Sequence, residues 1–160
     1  MMINVGDKLP EVGFKVMGSN GPEALSAQDL FAGKKVVLFS LPGAFTPTCS
    51  AKHLPGFVAN FDALKAKGVD TIGCVAVNDA FVMDAWGKAQ EVGDKVMMLA
   101  DGSAEWSKAV GLELDLVAAG MGVRGQRFAM IIEDGVLKDL AVEEGGAFDV
   151  SSAESVLSRL

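Results

Sequence analysis

Two apolar runs, KKVVLFSL (Lys34–Leu41) and DTIGCVAV (Asp70–Val77), lie a helix-length apart, and neither alternates with polar residues. Runs of this kind belong to strands buried on both faces, as in a parallel sheet covered by helices. Between them Leu54, Phe57, Val58, Phe61 and Leu64 recur at spacings of three and four, and Gly68 follows as a stop. The pattern is a βαβ unit, and it sets the frame for everything else in the chain. Pro55 falls inside the helical stretch and should kink it, because proline cannot donate the backbone bond that a helix interior needs.

The remaining segments extend this frame. NDAFVMDAWGKAQEV predicts a second helix capped by Asn78 or Asp79, KVMMLAD a further strand, and SAEWSKAVG a short helix stopped by Gly111. QRFAMIIEDGVLKDLAVE predicts a hairpin turning at Asp134–Gly135, and the last ten residues, opening at Ser151–Ser152, a terminal helix. The expected architecture is an α/β sandwich that joins a parallel βαβ unit to an antiparallel hairpin. With 160 residues, half of them hydrophobic, one compact domain spanning 1–160 is expected.

Charge and composition exclude several classes of function. Fourteen basic against twenty-one acidic residues leave a formal charge of −7, and Lys34–Lys35 is the only adjacent basic pair. Such a field argues against nucleic acid or an anionic membrane surface as a partner. The longest unbroken apolar stretches, such as Val36–Phe39 and Val96–Ala100, fall far short of the roughly 18 residues of a membrane span. The opening MMINVGDKLPEVGF carries no visible targeting pattern, so a cytoplasmic protein is the expectation. Two cysteines cannot form a disulfide scaffold, and with a single histidine they make a metal site improbable.

The stretch SLPGAFTPTCSAKHLPGF (Ser40–Phe57) carries the chemistry. Thr46 followed by Pro47 is a helix start, with threonine at the N-cap and proline at the first helical position. Cys49 then falls third, inside the first turn, where unpaired N–H groups and the positive end of the helix dipole favour a thiolate. The Thr46 hydroxyl and the sulfur, three residues apart, can meet on one side of that turn. His53, one turn further on, is a candidate base, although a single histidine is more often a packing residue. A lone cysteine can equally be a small buried hydrophobe.

Pro42, Thr46 and Cys49 form a P-x-x-x-T-x-x-C pattern that resembles the signature of the peroxiredoxins, which are thiol peroxidases. PGAFTPTCSAKHLPGF, NDAFVMDAWGKA, LADGSAEWSKAVGL and RFAMIIEDG are similar to the type-five (type II) subfamily, in the expected order along nearly the whole chain. The resemblance implies a thioredoxin-like fold, with a central mixed sheet flanked by helices and Cys49 as the peroxidatic cysteine. It also implies an arginine beside the sulfur at the start of the RFAMII strand. That is Arg127, which sequence alone does not separate from Arg124.

The expected activity is reduction of hydrogen peroxide and small alkyl hydroperoxides, with no cofactor. Arg127 would donate to sulfur and peroxide, Thr46 would accept from the peroxide and donate to the sulfur, and Pro42 would exclude water. Regeneration is expected from an external thiol, such as glutathione with glutaredoxin, or thioredoxin. The alternative is a peroxide sensor passing oxidation to a partner protein. Cys74 sits mid-strand, on the order of 10 Å below the end of the sheet, whereas a disulfide needs Cα atoms within about 7 Å. No cysteine follows it, so an internal disulfide cycle is not expected. The subfamily resemblance further implies a homodimer formed through NDAFVMDAWGKA.

Overall fold

A hairpin and a short helix precede the first apolar run: β1 (Phe14–Gly18), β2 (Gly21–Leu25) and α1 (Ala27–Phe31) lead into β3 (Lys35–Ser40). The computed structural model describes residues 1–160. After β3 comes a π-helical turn, Cys49–His53, followed by α2 (Leu54–Ala59), α3 (Phe61–Ala66) and β4 (Thr71–Ala76). Next are α4 (Ala80–Ala89), β5 (Met97–Ala100) and α5 (Glu105–Ala109). A small hairpin, β6 (Glu113–Leu116) and β7 (Gly122–Gly125), then leads to β8 (Phe128–Glu133), β9 (Val136–Val142) and α6 (Ala153–Arg159).

The main sheet has seven strands in the order β2-β1-β5-β4-β3-β8-β9. β3, β4 and β5 run parallel, while β1 pairs antiparallel with β5 and β8 with both β3 and β9. This is a central mixed sheet of the thioredoxin-like kind, with β6 and β7 set apart as a two-stranded ribbon.

Alternate residues of the central strands enter opposite apolar layers, which is why the two runs show no polar alternation. Val37, Phe39, Cys74 and Ile131 join one layer with Leu54, Phe57, Met83, Trp86 and Val156 from α2, α4 and α6. Val36, Leu38, Val75 and Met130 join the other with Leu30, Phe31 and Trp106 from α1 and α5. Each strand residue therefore has a helical layer to pack on, whichever way it points.

The crossover helix is broken more thoroughly than the expected kink. Leu54 N–H reaches back five residues to Cys49 O, so the turn before Pro55 is wide. Pro55 has no N–H to close an ordinary turn there and instead sits in the first turn of α2, where none is needed. A second break follows at Asn60, whose backbone (φ −97°, ψ 14°) separates α2 from α3.

Of the two candidate caps for α4, the structure uses Asp79, whose carboxylate accepts Val82 N–H at 2.9 Å. The Asn78 amide oxygen instead accepts Ala44 N–H at 2.9 Å, tying the end of β4 to the loop after β3. The β8–β9 turn has both Asp134 (φ 48°) and Gly135 (φ 76°) left-handed, as a type I′ hairpin requires. Asp79→Ala should lower the free energy of unfolding by about 1 kcal/mol, the usual worth of an N-cap. Urea titration checks this as a reduced midpoint with an unchanged slope. An unmoved midpoint would show that α4 does not need the cap.

Candidate active site

Register brings two distant parts of the chain to one corner. Ser40 at the end of β3 pairs with Phe128 at the start of antiparallel β8, so Arg127 lies beside the chain as it leaves β3. From there the backbone passes Pro42 and Gly43 and enters the helical turn that carries Cys49. Thr46 O accepts Ser50 N–H at 3.0 Å, the first helical bond, and so Thr46 is the N-cap by its backbone. Pro47 and Thr48 are helical, and Cys49 comes third in the turn, fully buried.

Arg127 forks between two partners. Its Nη2 donates to Cys49 Sγ at 3.1 Å and its Nη1 to His53 Nδ1 at 2.7 Å. The guanidinium carbon also lies 6.0 Å from the centre of the Phe148 ring. Arg124 does something different. Its Nε donates to Met121 O at 2.8 Å, and its Nη1 to Pro42 O at 3.3 Å and Val77 O at 3.4 Å. One arginine touches the sulfur and the other anchors the Pro42–Gly43 corner. A Cβ on Gly43 would come within 2.8 Å of Arg124 Nη1, so a larger residue there would push the end of the Arg124 side chain aside.

The geometry corrects one expectation and decides one open alternative. The Thr46 hydroxyl donates to Gly43 O at 2.7 Å and not to the sulfur. The left-handed backbone of Phe45 (φ 64°) tightens this turn and folds the Gly43 carbonyl back toward Thr46. His53 is likewise no base for Cys49. Its Nε2 lies 3.0 Å from Ser151 O, a carbonyl that can only accept, so Nε2 carries the proton and Nδ1 is left as the acceptor for Arg127. Burial, with the charge of Arg127 adding to it, lowers the imidazole pKa to about 3.

Cys74 lies on the same face of the sheet as Cys49 but within β4, held between Phe39 of β3 and Met98 of β5 and fully buried. Burial pushes its thiol up, and the neighbouring Cys49 adds to the shift. In α4, the Trp86 indole donates to Ser50 Oγ at 3.1 Å, beside Cys49. Most of that helix's apolar excess is therefore core, while Phe81 projects outward at 65% exposure. A groove of about 780 Å³, lined in part by Thr71, Gly87 and Met97, opens where the parallel strands begin, at the end away from Cys49. The contacts of Arg124, Asn78, Glu143, Phe148 and Ser151 had no signal in the sequence, because each depends on a loop position.

A model of the Redoxin family matches residues 4–157. Peroxiredoxin-2B of Arabidopsis thaliana is 49% identical over 159 residues, covering 99% of this chain and 98% of the relative. The chloroplastic Peroxiredoxin-2E of the same plant is 49% identical over 162 residues, covering 99% of this chain and 69% of its own length. Reduced Prx3 from Vibrio vulnificus in complex with H2O2 superposes with a TM-score of 0.95 at 52% identity, covering 99% of each chain.

The neutral His53 predicts an acid-sensitive fold. An unfolded chain's imidazole binds a proton as pH falls below 6.5, while the folded one stays neutral down to about 3. The unfolded state thus holds more protons in this window. The stabilisation is full above 6.5 and fades with acid, by up to about 1.4 kcal/mol per pH unit. Urea titrations at pH 7 and pH 5 should show the loss, and His53→Gln should flatten it. Equal slopes in the two proteins would mean that His53 is not held neutral.

Proposed function

The chain belongs to the Redoxin family and is a peroxiredoxin, a thiol-dependent peroxidase, and on that premise we propose that Cys49 is its peroxidatic nucleophile and that Arg127, Thr46 and Pro42 form the peroxide pocket. The observation that carries this reading is the 3.1 Å contact between Arg127 Nη2 and Cys49 Sγ in the first turn of a helix. Arginine keeps its charge and has further donors for a peroxide oxygen. In the reaction the sulfur gives an electron pair to one peroxide oxygen. The S–O bond forms as the O–O bond breaks, and the departing oxygen takes up a proton as water or alcohol. The product is a sulfenic acid.

Positioning has to supply most of the rate. A free thiol of pKa about 8.5 is only a few per cent thiolate at neutral pH, and full ionisation gains about thirtyfold. A Brønsted slope of about 0.45 returns roughly tenfold of that as lost nucleophilicity. The residual gain is only a few-fold, so orientation of the peroxide and stabilisation of the leaving oxygen dominate. Thr46 is suited to orienting the peroxide, because its proton is committed to Gly43 O and its lone pairs are left for the peroxide O–H. Pro42, with its carbonyl held by Arg124, walls the pocket against water.

We further propose that the sulfenic acid is reduced by an external thiol, glutathione with glutaredoxin or thioredoxin, and that peroxides up to small alkyl hydroperoxides are accepted. The burial of Cys74 within β4 supports an external reductant. A sensor that hands oxidation to a partner protein shares the first step and is separated by the lack of turnover with small thiols. Exposed Phe81 (65%), and Phe45 (56%) packed 6.4 Å from Trp86, support a homodimer through α4.

Cys49→Ser should abolish peroxide consumption in a folded protein. Arg127→Ala should slow the peroxide step by roughly 100-fold, as loss of an oxyanion donor does. Stopped-flow fluorescence reads both, and a sizeable residual rate in either variant would overturn the assignment. After one equivalent of peroxide plus glutathione, intact mass should show a single adduct on Cys49, and Cys74→Ser should leave turnover largely unchanged. A quantitative Cys49–Cys74 disulfide, with turnover lost in Cys74→Ser, would replace the external route.

A further inference from the structure

Glu143, just after β9, is a carboxylate at 8% exposure with no cation on it. Its Oε2 accepts Asp149 N–H at 2.6 Å, Ser151 N–H at 2.9 Å and the Ser151 hydroxyl at 2.6 Å. Its own N–H donates to Arg127 O at 3.0 Å. One residue thus ties the backbone of Arg127 to the loop that runs back over the site. That loop carries Phe148, whose ring lies 5.0 Å from that of His53, and Ser151, whose carbonyl accepts from His53 Nε2.

From this arrangement we propose that Glu143 is a positioning residue of the peroxidase site, acting through Ser151 and His53 to aim Arg127 at Cys49. This role rests on the assignment of Cys49 and Arg127 to the peroxide pocket. The direction of every bond in the series is forced by its chemistry. A carboxylate only accepts, so Ser151 donates to it with both N–H and hydroxyl. The Ser151 carbonyl only accepts, so His53 must present its proton on Nε2. Nδ1 then has only a lone pair, which meets Arg127 Nη1, and Nη2 is left for the sulfur. If the Ser151 carbonyl moved away, the imidazole could take the other tautomer and set an N–H against the guanidinium N–H. Arg127 would then lose the bond that fixes its plane. Burial pushes the Glu143 carboxyl up, but the Ser151 hydroxyl and the loop N–H groups outweigh it and hold it ionised, as a three-donor acceptor must be.

His53 is the only histidine, so its ring ¹⁵N resonances report the tautomer without ambiguity. The wild-type protein should show one protonated nitrogen, Nε2, and one bare nitrogen, Nδ1. Glu143→Ala should give a mixed pattern and slow the reaction of Cys49 with hydrogen peroxide by roughly tenfold. Glu143→Gln, which retains an acceptor oxygen, should recover most of both, and Ser151→Ala, which loses only the hydroxyl bond, should fall between wild type and Glu143→Ala. Placed on a His53→Ala background, Glu143→Ala should add less than about twofold, because the two act in series. Should Glu143→Ala fail to fold, the tautomer pattern and rate of Glu143→Gln and Ser151→Ala carry the decision. A wild-type pattern and rate in the folded variants, or an undiminished effect without His53, would overturn the proposal. If Arg127→Ala also left the rate unchanged, the site reading itself would fail; if Arg127→Ala were slow and the Glu143 variants were not, only the positioning role would fall.

Discussion

The Arg127 guanidinium, forked between Cys49 Sγ and His53 Nδ1, is the contact on which the site depends. The three ion pairs of the protein join Lys35 to Glu133, Lys88 to Asp84 and Arg159 to Asp139, and none involves Arg127. Its half-buried positive charge has a neutral imidazole on one side and an aromatic face on another. The sulfur is the one partner able to become an anion. A carboxylate in place of His53 would satisfy the guanidinium and weaken its claim on the thiolate. A neutral imidazole holds the orientation without supplying the compensating charge.

The fold makes that fork possible by bringing three chain segments to one end of the sheet. The loop after β3 supplies Cys49, the residue before β8 supplies Arg127, and the loop between β9 and α6 supplies Ser151 and Phe148. β3 and β8 are hydrogen-bonded neighbours, so the distance between Cys49 and Arg127 is governed by strand register and not by flexible chain. The π-helical turn after Cys49 has a local cause in Pro55 and a consequence at the site. It lies where His53 turns inward to meet Arg127, and His53 is itself fully buried against Phe39 and Phe148.

Much of this frame is legible in the sequence because periodicity reports burial. The unbroken runs at Lys34–Leu41 and Asp70–Val77 form the parallel pair β3 and β4, and Asp134–Gly135 forms the hairpin turn. The β1–β2 hairpin, α1 and the β6–β7 ribbon leave no comparable pattern. β2, with the sequence GPEAL, has little strand propensity and holds its place as an edge strand by pairing with β1. α1 is five residues long, too short for a helical period to emerge. Tertiary pairing decides such segments, and a local pattern cannot.

By itself, the sequence determined the layered α/β frame, the placement of a cysteine in the first turn of a helix after a buried strand, and the family pattern around Pro42, Thr46 and Cys49. These are local properties, carried by residue spacing and by the caps and breaks that neighbouring residues impose. Only the tertiary structure decided which arginine meets the sulfur, that the Thr46 hydroxyl turns to Gly43 O, and that His53 is neutral and holds Arg127. The arginine and histidine contacts join donors and acceptors from distant parts of the chain, while the Thr46 bond, spanning three residues, is set by the left-handed turn at Phe45. A hydrogen bond extends about 3 Å and is directional, so its partner is chosen by strand register and loop path, which no short stretch of sequence contains.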